Sequence, residues 1–220
     1  MPVPVLTSLT AQADRLVGLG LVADPGALRD AAERLERDVP VGSLLVVHER
    51  LMPASVLAPH LRLPAPGRAG AAGEVREGFV VVDMTDVDEF RPTAHAELPD
   101  ADVYAVIAPR RGDEMRNWSP EEALPALVAA GRAPLTLVEA IHWALQVPEV
   151  IEANACFMTV GSRKIKADGT FDSRTPALWI SSGTGRDGRE RKGAPKVGWC
   201  WWGNRHTWLG FASAEGRAGA

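Results

Sequence analysis

The sequence has little cysteine, a single tyrosine and no long apolar segment. Two cysteines, Cys156 and Cys200, in 220 residues are too few for a disulfide framework. The longest apolar runs, such as SLLVV (43–47) and FVVV (79–82), are far shorter than the roughly 20 residues that span a bilayer. The first residues, MPVPVLTSLTAQADRL, lack the basic and apolar regions of a signal peptide. These absences favour a cytoplasmic protein with reduced thiols and no membrane segment.

Lysine is absent from residues 1–155, which carry 13 arginines and 23 acidic residues, for a formal charge of -10. Residues 156–220 carry 11 basic and 5 acidic residues, or +6. This asymmetry has two interpretations: an anion-attracting C-terminal surface, or pairing between the two parts of the chain. The acidic part would repel a long polyanion and no RNP-like motif is present, so nucleic acid is not expected as a partner.

The motifs of several common chemistries are missing or incomplete. Gly183, Gly185 and Gly188 match G-x-G-x-x-G, but the following RERKGAPK cannot form the amphipathic helix that holds a pyrophosphate. The arginines of this loop could still close over an anionic ligand. The cysteines and histidines lack the paired spacing of a zinc site, and G-x-S-x-G and P-loop motifs are absent. We therefore expect neither a metal nor a cofactor.

Apolar periodicity and capping residues predict an α+β fold. Helices are expected over 8–23, 24–40, 119–132 and 135–146, the last two with capping boxes at Ser119/Glu122 and Thr136/Glu139. His142 is expected to be a packing residue of the last helix. Strands are expected over 43–50, 78–84 and 101–109, with a loop over 63–74.

The C-terminal part predicts an antiparallel β-meander. Its strands are expected over 156–162, 176–182, 196–202 and 205–213, followed by a frayed end. The chain thus divides into an N-terminal α/β region (1–118), a helical segment (119–155) and the meander (156–220). We expect these three parts to form one compact domain, in which the N-terminal strands and the meander share one sheet.

The tryptophan-rich segment KVGWCWWGNRHTWLG (196–210) predicts a hairpin with a two-residue turn at Gly203-Asn204. The expected pairs are Trp202 with Arg205, Trp201 with His206, Cys200 with Thr207 and Trp199 with Trp208. Since side chains alternate along a strand, Cys200 and His206 would point to opposite faces and could not form a catalytic dyad. A three-residue turn would reverse this conclusion.

Three segments of the sequence are distinctive: RAPLTLVEAIHWALQVPEVIEANACFMTVGSRK, PALWISS and GAPKVGWCWWGNRHTWLG. They resemble an actinobacterial family of unknown function, DUF5701. The strings FRP and SPEEALPALVAAGRAPLT extend the resemblance over most of the chain. It implies no activity. The positions that it marks are Cys156, Gly161, Arg163, Trp179, Lys196, Trp199, Cys200, Trp201, Asn204, His206 and Trp208.

Two functional hypotheses follow. The first is a small-molecule-binding protein, or a cofactor-independent enzyme, with a site on the C-terminal sheet for a small anionic or aromatic ligand. His206 would transfer protons as its catalytic residue, and the residues expected to bind substrate are Arg163, Trp179, Trp199, Trp201, Asn204 and Trp208. The alternative is a non-enzymatic interaction or regulatory protein, whose tryptophans form core and whose basic loops bind an acidic partner. Neither hypothesis specifies an oligomeric state.

Overall fold

The computed structural model describes residues 5–65 and 74–220. Within these residues it contains five α-helices: α1 (Leu9–Gly18), α2 (Pro25–Asp38), α3 (Ala54–Leu57), α4 (Pro120–Ala129) and α5 (Leu137–Gln146). None of the helices in this part of the chain is long and apolar enough to cross a membrane. The four helices expected from the sequence are present, and α3 is an addition.

The helix starts follow the predicted capping chemistry. At α4 the Ser119 hydroxyl accepts a hydrogen bond from the Glu122 N–H (3.3 Å), and the Glu122 carboxylate accepts one from the Ser119 N–H (2.9 Å). Thr136 and Glu139 repeat this exchange at α5, with distances of 3.3 and 2.7 Å. Each capping box satisfies N–H groups that have no partner within the helix.

The strands are short, and they alternate with turns along the whole chain. In order they are β1 (Leu44–Val47), β2 (Arg62–Pro64), β3 (Val75–Glu77), β4 (Phe79–Val80), β5 (Arg91–Pro92), β6 (Val103–Ile107), β7 (Ala133–Pro134), β8 (Cys156–Met158), β9 (Ser162–Arg163), β10 (Arg174–Ile180), β11 (Pro195–Trp201), β12 (Leu209–Phe211), β13 (Ser213–Ala214) and β14 (Gly216–Gly219). The loop expected over 63–74 begins too early, because residues 63 and 64 belong to β2 and pair with β3, and its residues 66–73 lie outside the described residues.

The largest sheet has five strands in the order β12-β8-β10-β11-β4. Strand β10 pairs antiparallel with both β8 and β11, as the predicted meander requires. The fourth expected strand differs, because β12 pairs in parallel with β8 and not with β11. The predicted hairpin is therefore wrong, and β11 takes β4 as its second neighbour.

The second main sheet has three strands in the order β1-β6-β14. The chain thus forms two main sheets where one was expected, and each combines strands from early and late parts of the sequence. The expected frayed end is also wrong, since β14 pairs with β6 along its length. Arg217 of β14 donates to Glu139 of α5 at 2.5 and 2.7 Å, and both side chains are buried. This ion pair fixes the C-terminal strand against α5.

Two apolar clusters surround the five-stranded sheet. The main core contains α5 and residues from each of the three segments of the chain, for example Leu45, Ile141 and Val197. A second cluster joins α4, through Ala123 and Leu127, to the other face of the five-stranded sheet. The two faces of β11 therefore meet different surroundings.

Candidate functional site

The segment 202–208 is a loop held against the start of α4. The carbonyl groups of Trp202 and His206 accept hydrogen bonds from the N–H groups of Glu121 (3.2 Å) and Asn117 (3.0 Å). Neither Gly203 nor the residue after it has the positive φ that the expected two-residue turn needs. Contacts with a segment distant in sequence thus replace the local hairpin, and the predicted pairs across it do not form.

Adjacent tryptophans of this segment have different surroundings. Trp199 packs against the main core, and its ring centroid lies 4.5 Å from that of Trp201, a residue that is 46% exposed. Cys200 and Trp202 pack against the second cluster beside α4. Trp201, which contacts Trp199, and Trp202, which packs with the second cluster, therefore lie on opposite sides of the sheet.

His206 lies in the loop, half-buried, with its ring centroid 5.1 Å from that of Trp208. Trp208 is 39% exposed, and Asn204 is exposed as well. The hairpin pairing that was to set His206 opposite Trp201 is absent, so a shared face with Trp199 no longer follows from the register. Proton transfer by His206 stays a prediction.

Trp179 belongs to a cluster in which the polar groups are satisfied. Its ring lies 4.4 Å from the Lys196 ammonium, which pairs with Asp187 at 2.5 Å. The Ser181 hydroxyl donates to the same carboxylate at 2.7 Å. A Cβ at Gly198 would come within 2.5 Å of the Trp179 ring, so the indole needs a glycine beside it. These contacts anchor the loop that follows β10 and give Trp179 a structural explanation.

Arg163 lies in a cavity of about 460 Å³ between α4, the loop 202–208 and the hairpin that follows β9. The residue is only 6% exposed. Its guanidinium carbon is 3.8 Å from the Trp202 ring centroid and 4.8 Å from that of Phe171. The other main lining side chains are Thr93, His95, Leu124 and Ser173.

Short strands bring these residues together. Arg163 of β9 is paired with Arg91 of β5, so Thr93, two residues beyond Arg91, projects to the same side as Arg163. Phe171 comes from the hairpin after β9, where it forms an isolated bridge with Ile165. Strand pairing therefore sets the cationic and hydroxyl groups on one wall of the cavity.

The Arg163 guanidinium has unused hydrogen-bonding capacity. Its Nη2 donates to the Asp172 carbonyl at 2.7 Å, while its Nε is buried without a partner in the described structure. The hydroxyl of Thr93 is also buried and unpartnered there. Burial lowers the pKa of Arg163, although an arginine side chain stays charged in proteins. Across residues 5–65 and 74–220, no carboxylate forms a salt bridge with Arg163.

Neighbouring basic residues differ from Arg163 because they have carboxylate partners. Lys164 and Arg174 both pair with Asp86 at 2.6 Å, and Arg186 pairs with Asp83. These hydrogen bonds, led by those from Arg174, hold the pKa of Asp86 well below its ordinary value. The acidic and basic parts of the chain therefore pair with each other, as the second interpretation of the charge asymmetry predicted.

Two other cavities lack this combination of features. One of about 480 Å³ lies beside α2 and is lined mainly by apolar side chains such as Leu28, Leu51 and Met52. None of its lining residues has a buried unpartnered side-chain polar atom in the described structure. Another of about 380 Å³ contains Arg217, but this guanidinium is already paired with Glu139. The Arg163 cavity therefore offers a buried cation that has no salt-bridge partner in the described part of the chain.

The model of a family of unknown function, DUF5701, matches residues 15–220. The chain belongs to this family. The match includes every residue that lines the Arg163 cavity. No curated protein and no solved structure matches the chain.

The buried titratable groups of this DUF5701 protein have structural roles. In His142, Nδ1 lies 2.9 Å from the Val138 carbonyl and Nε2 accepts from the Val47 N–H at 3.3 Å. Burial lowers the pKa of His142 to about 4, so the ring is neutral and the predicted packing role is confirmed. Burial also raises the thiol pKa of Cys156 and Cys200, which disfavours the thiolates. The described residues contain no group of three potential metal ligands.

Several residues of the cavity were missed from the sequence of the DUF5701 protein. Arg163 was named as a binding residue, whereas Thr93, Phe171 and Trp202 were not. They come from three separate segments, and only tertiary contacts bring them together. The one local signal in the sequence was the alternation of side chains along the predicted strand, which placed Trp202 and Trp201 on opposite faces.

Proposed function

We propose that this DUF5701 protein binds a small organic anion in the cavity at Arg163. The observation that carries the proposal is that Arg163, a residue only 6% exposed, forms no salt bridge with a carboxylate in the described part of the chain. A buried charge without a counter-charge is costly. An anionic ligand would supply that counter-charge and would complete the hydrogen bonding of Arg163.

The walls of the cavity support an organic ligand over an inorganic ion. Ligand sites combine mostly apolar walls with a few placed polar groups, in clefts of roughly 300–1,000 Å³. Here the volume is about 460 Å³, and the walls include Trp202, Phe171 and Leu124. Both aromatic rings lie against the guanidinium, whose stacking on such rings restricts its orientation.

Binding without catalysis is the simplest function for this arrangement. His95 is the one titratable side chain beside Arg163 among the described lining residues, and it is exposed. An acid–base mechanism needs a group placed within reach of the reacting proton. Among the described residues, the lining of the cavity includes no carboxylate and no histidine besides His95. The His206 hypothesis would require a different site, in the loop 202–208.

Binding of an acidic partner by the basic loops has weaker support. Lys164, Arg174 and Arg186 already pair with aspartates of the same chain. A partner that binds these three residues would have to displace internal carboxylates, whereas a ligand of Arg163 displaces no carboxylate in the described structure.

A thermal-shift comparison tests the proposal. The probes are benzoate, benzylamine and benzyl alcohol, which share a ring and differ in charge. Benzoate is expected to raise the Tm, because a ligand that binds only the folded state stabilises it, and Arg163→Met is expected to abolish the shift. Arg186→Met is the matched control, since Arg186 is exposed and paired with Asp83. Equal shifts with all three probes, or a benzoate shift retained in Arg163→Met, would contradict the proposal.

A further inference from the structure

We infer that the anionic group of the ligand is a carboxylate on a flat apolar body, and not a phosphate ester. This inference rests on the proposed function. Arg163 is the only permanently charged cation among the described residues that line the cavity. A phosphate monoester carries a charge of about −1.5 to −2 at neutral pH and three acceptor oxygens. A carboxylate carries one charge and two oxygens, which matches a single guanidinium better.

The second anchor is Thr93. Its hydroxyl is buried without a partner in the described structure, and it lies on the same wall of the cavity as Arg163. A hydroxyl donates one hydrogen bond, so Thr93 can serve one carboxylate oxygen while Arg163 serves the other. The two groups together provide donors for both oxygens of a carboxylate.

The shape of the ligand follows from the two rings. The Trp202 and Phe171 rings both lie against the Arg163 guanidinium, with ring centroids 3.8 and 4.8 Å from its carbon. A hydrogen-bonded oxyanion therefore approaches in the plane of the guanidinium, along its edge. The body of the ligand then continues along the apolar wall that includes Leu124. A planar ring fits this wall better than a branched or strongly hydrated group.

Access to the two anchors requires a side-chain movement, because the Arg163 Nε and the Thr93 hydroxyl are closed off from solvent. Phe171 is 50% exposed, and its ring lies 4.8 Å from the guanidinium carbon. Its backbone is held in the hairpin by an isolated bridge to Ile165. This exposed ring can rotate without disturbing the core.

Calorimetric titration of four probes tests the inference: phenylacetate, phenyl phosphate, phenylacetamide and acetate. Phenylacetate is expected to bind at least about tenfold more tightly than each of the other probes. Phenyl phosphate and phenylacetamide lack the single negative charge of a carboxylate, and acetate lacks the ring. Thr93→Val is expected to weaken phenylacetate binding by roughly tenfold, the effect of one hydrogen bond to a charged group. Thr93→Ser keeps the hydroxyl and should retain the affinity. Thr207→Val, at an exposed threonine, is the matched control and should match the wild type.

The outcomes separate the inference from the proposed function. If phenyl phosphate binds as tightly as phenylacetate, and Arg163→Met abolishes both, the carboxylate inference is wrong and anion binding at Arg163 stands. An unchanged affinity in Thr93→Val would also overturn the inference. If neither anion binds, or if both bind equally well to Arg163→Met, the proposed function itself fails.

Discussion

The guanidinium of Arg163 stacks on the indole of Trp202, with 3.8 Å between the guanidinium carbon and the ring centroid. Trp202 is adjacent in sequence to Trp201, whose ring lies near Trp199 on the other side of the sheet. Only one tryptophan of this adjacent pair therefore belongs to the Arg163 cavity. This difference provides a matched pair of variants.

Trp202→Leu is expected to weaken anion binding by roughly tenfold, because it removes the stacking that orients the guanidinium. Trp201→Leu changes a side chain that is 46% exposed and lies outside the cavity, so its affinity should remain close to that of the wild type. Titration of phenylacetate into the two purified variants measures the difference. Equal affinities in the two variants would show that Trp202 does not contribute to ligand binding.

His206→Ala distinguishes the Arg163 cavity from a site in the loop 202–208. The described contacts of His206 include a ring contact with Trp208 and hydrogen bonds from the N–H groups of Asn117 (3.0 Å) and Leu209 (3.4 Å) to its carbonyl. Alanine preserves these backbone hydrogen bonds, so the Tm is expected to change little and phenylacetate affinity is expected to stay the same. Loss of ligand binding at an unchanged Tm would instead favour the hypothesis that His206 acts in the site.

Glu139→Gln is expected to lower the free energy of unfolding by about 3–5 kcal/mol, because it leaves the buried Arg217 without a counter-charge. The matched control is Asp14→Asn, which removes an ion pair whose side chains are 46% and 62% exposed. Its cost should be below about 1 kcal/mol. Urea unfolding of both variants measures the two costs, and similar values would show that the buried pair does not fix the C-terminal strand.

Stability is expected to fall as the pH is lowered from 6.5 towards 4, because His142 binds a proton more readily in the unfolded chain. Its pKa is lowered from 6.5 to about 4 in the folded state. The unfolded state therefore binds more protons between these values, and the loss should reach roughly 3 kcal/mol. Below about pH 4 both states are protonated, and this contribution no longer changes.

The variant His142→Asn isolates that contribution. It should be less stable than the wild type at pH 7 and should lose most of the slope between pH 6.5 and 4. His48, whose pKa is also lowered by burial, is present in both proteins and its effect cancels. Urea unfolding at several pH values gives the comparison. Parallel pH profiles for the two proteins would show that His142 is not the group responsible.

Local sequence signals predicted the helices well. Ser119 and Thr136, each followed three residues later by glutamate, marked the starts of α4 and α5, because capping depends on groups close in sequence. The antiparallel strands β8, β10 and β11 were also predicted. The order of the strands was harder, since an isolated hairpin is a local structure and β12 instead pairs with a strand about 50 residues earlier.

The turn at Gly203-Asn204 shows why local signals failed. These residues favour a tight hairpin, but the carbonyls on either side accept hydrogen bonds from the start of α4. The C-terminal end was misjudged for a related reason, because Arg217 has a buried partner, Glu139, that lies 78 residues away. Similarly, Arg163 was predicted as a binding residue, while Thr93 and Phe171 reach the cavity only through tertiary contacts.

The central claim is that the buried Arg163 guanidinium binds an organic anion. The most direct test is calorimetric titration of benzoate into the wild type and into Arg163→Met, with circular dichroism to show that both are folded. We expect saturable binding at one site per chain in the wild type and no measurable binding in the variant. Equal dissociation constants in the two proteins would contradict the claim.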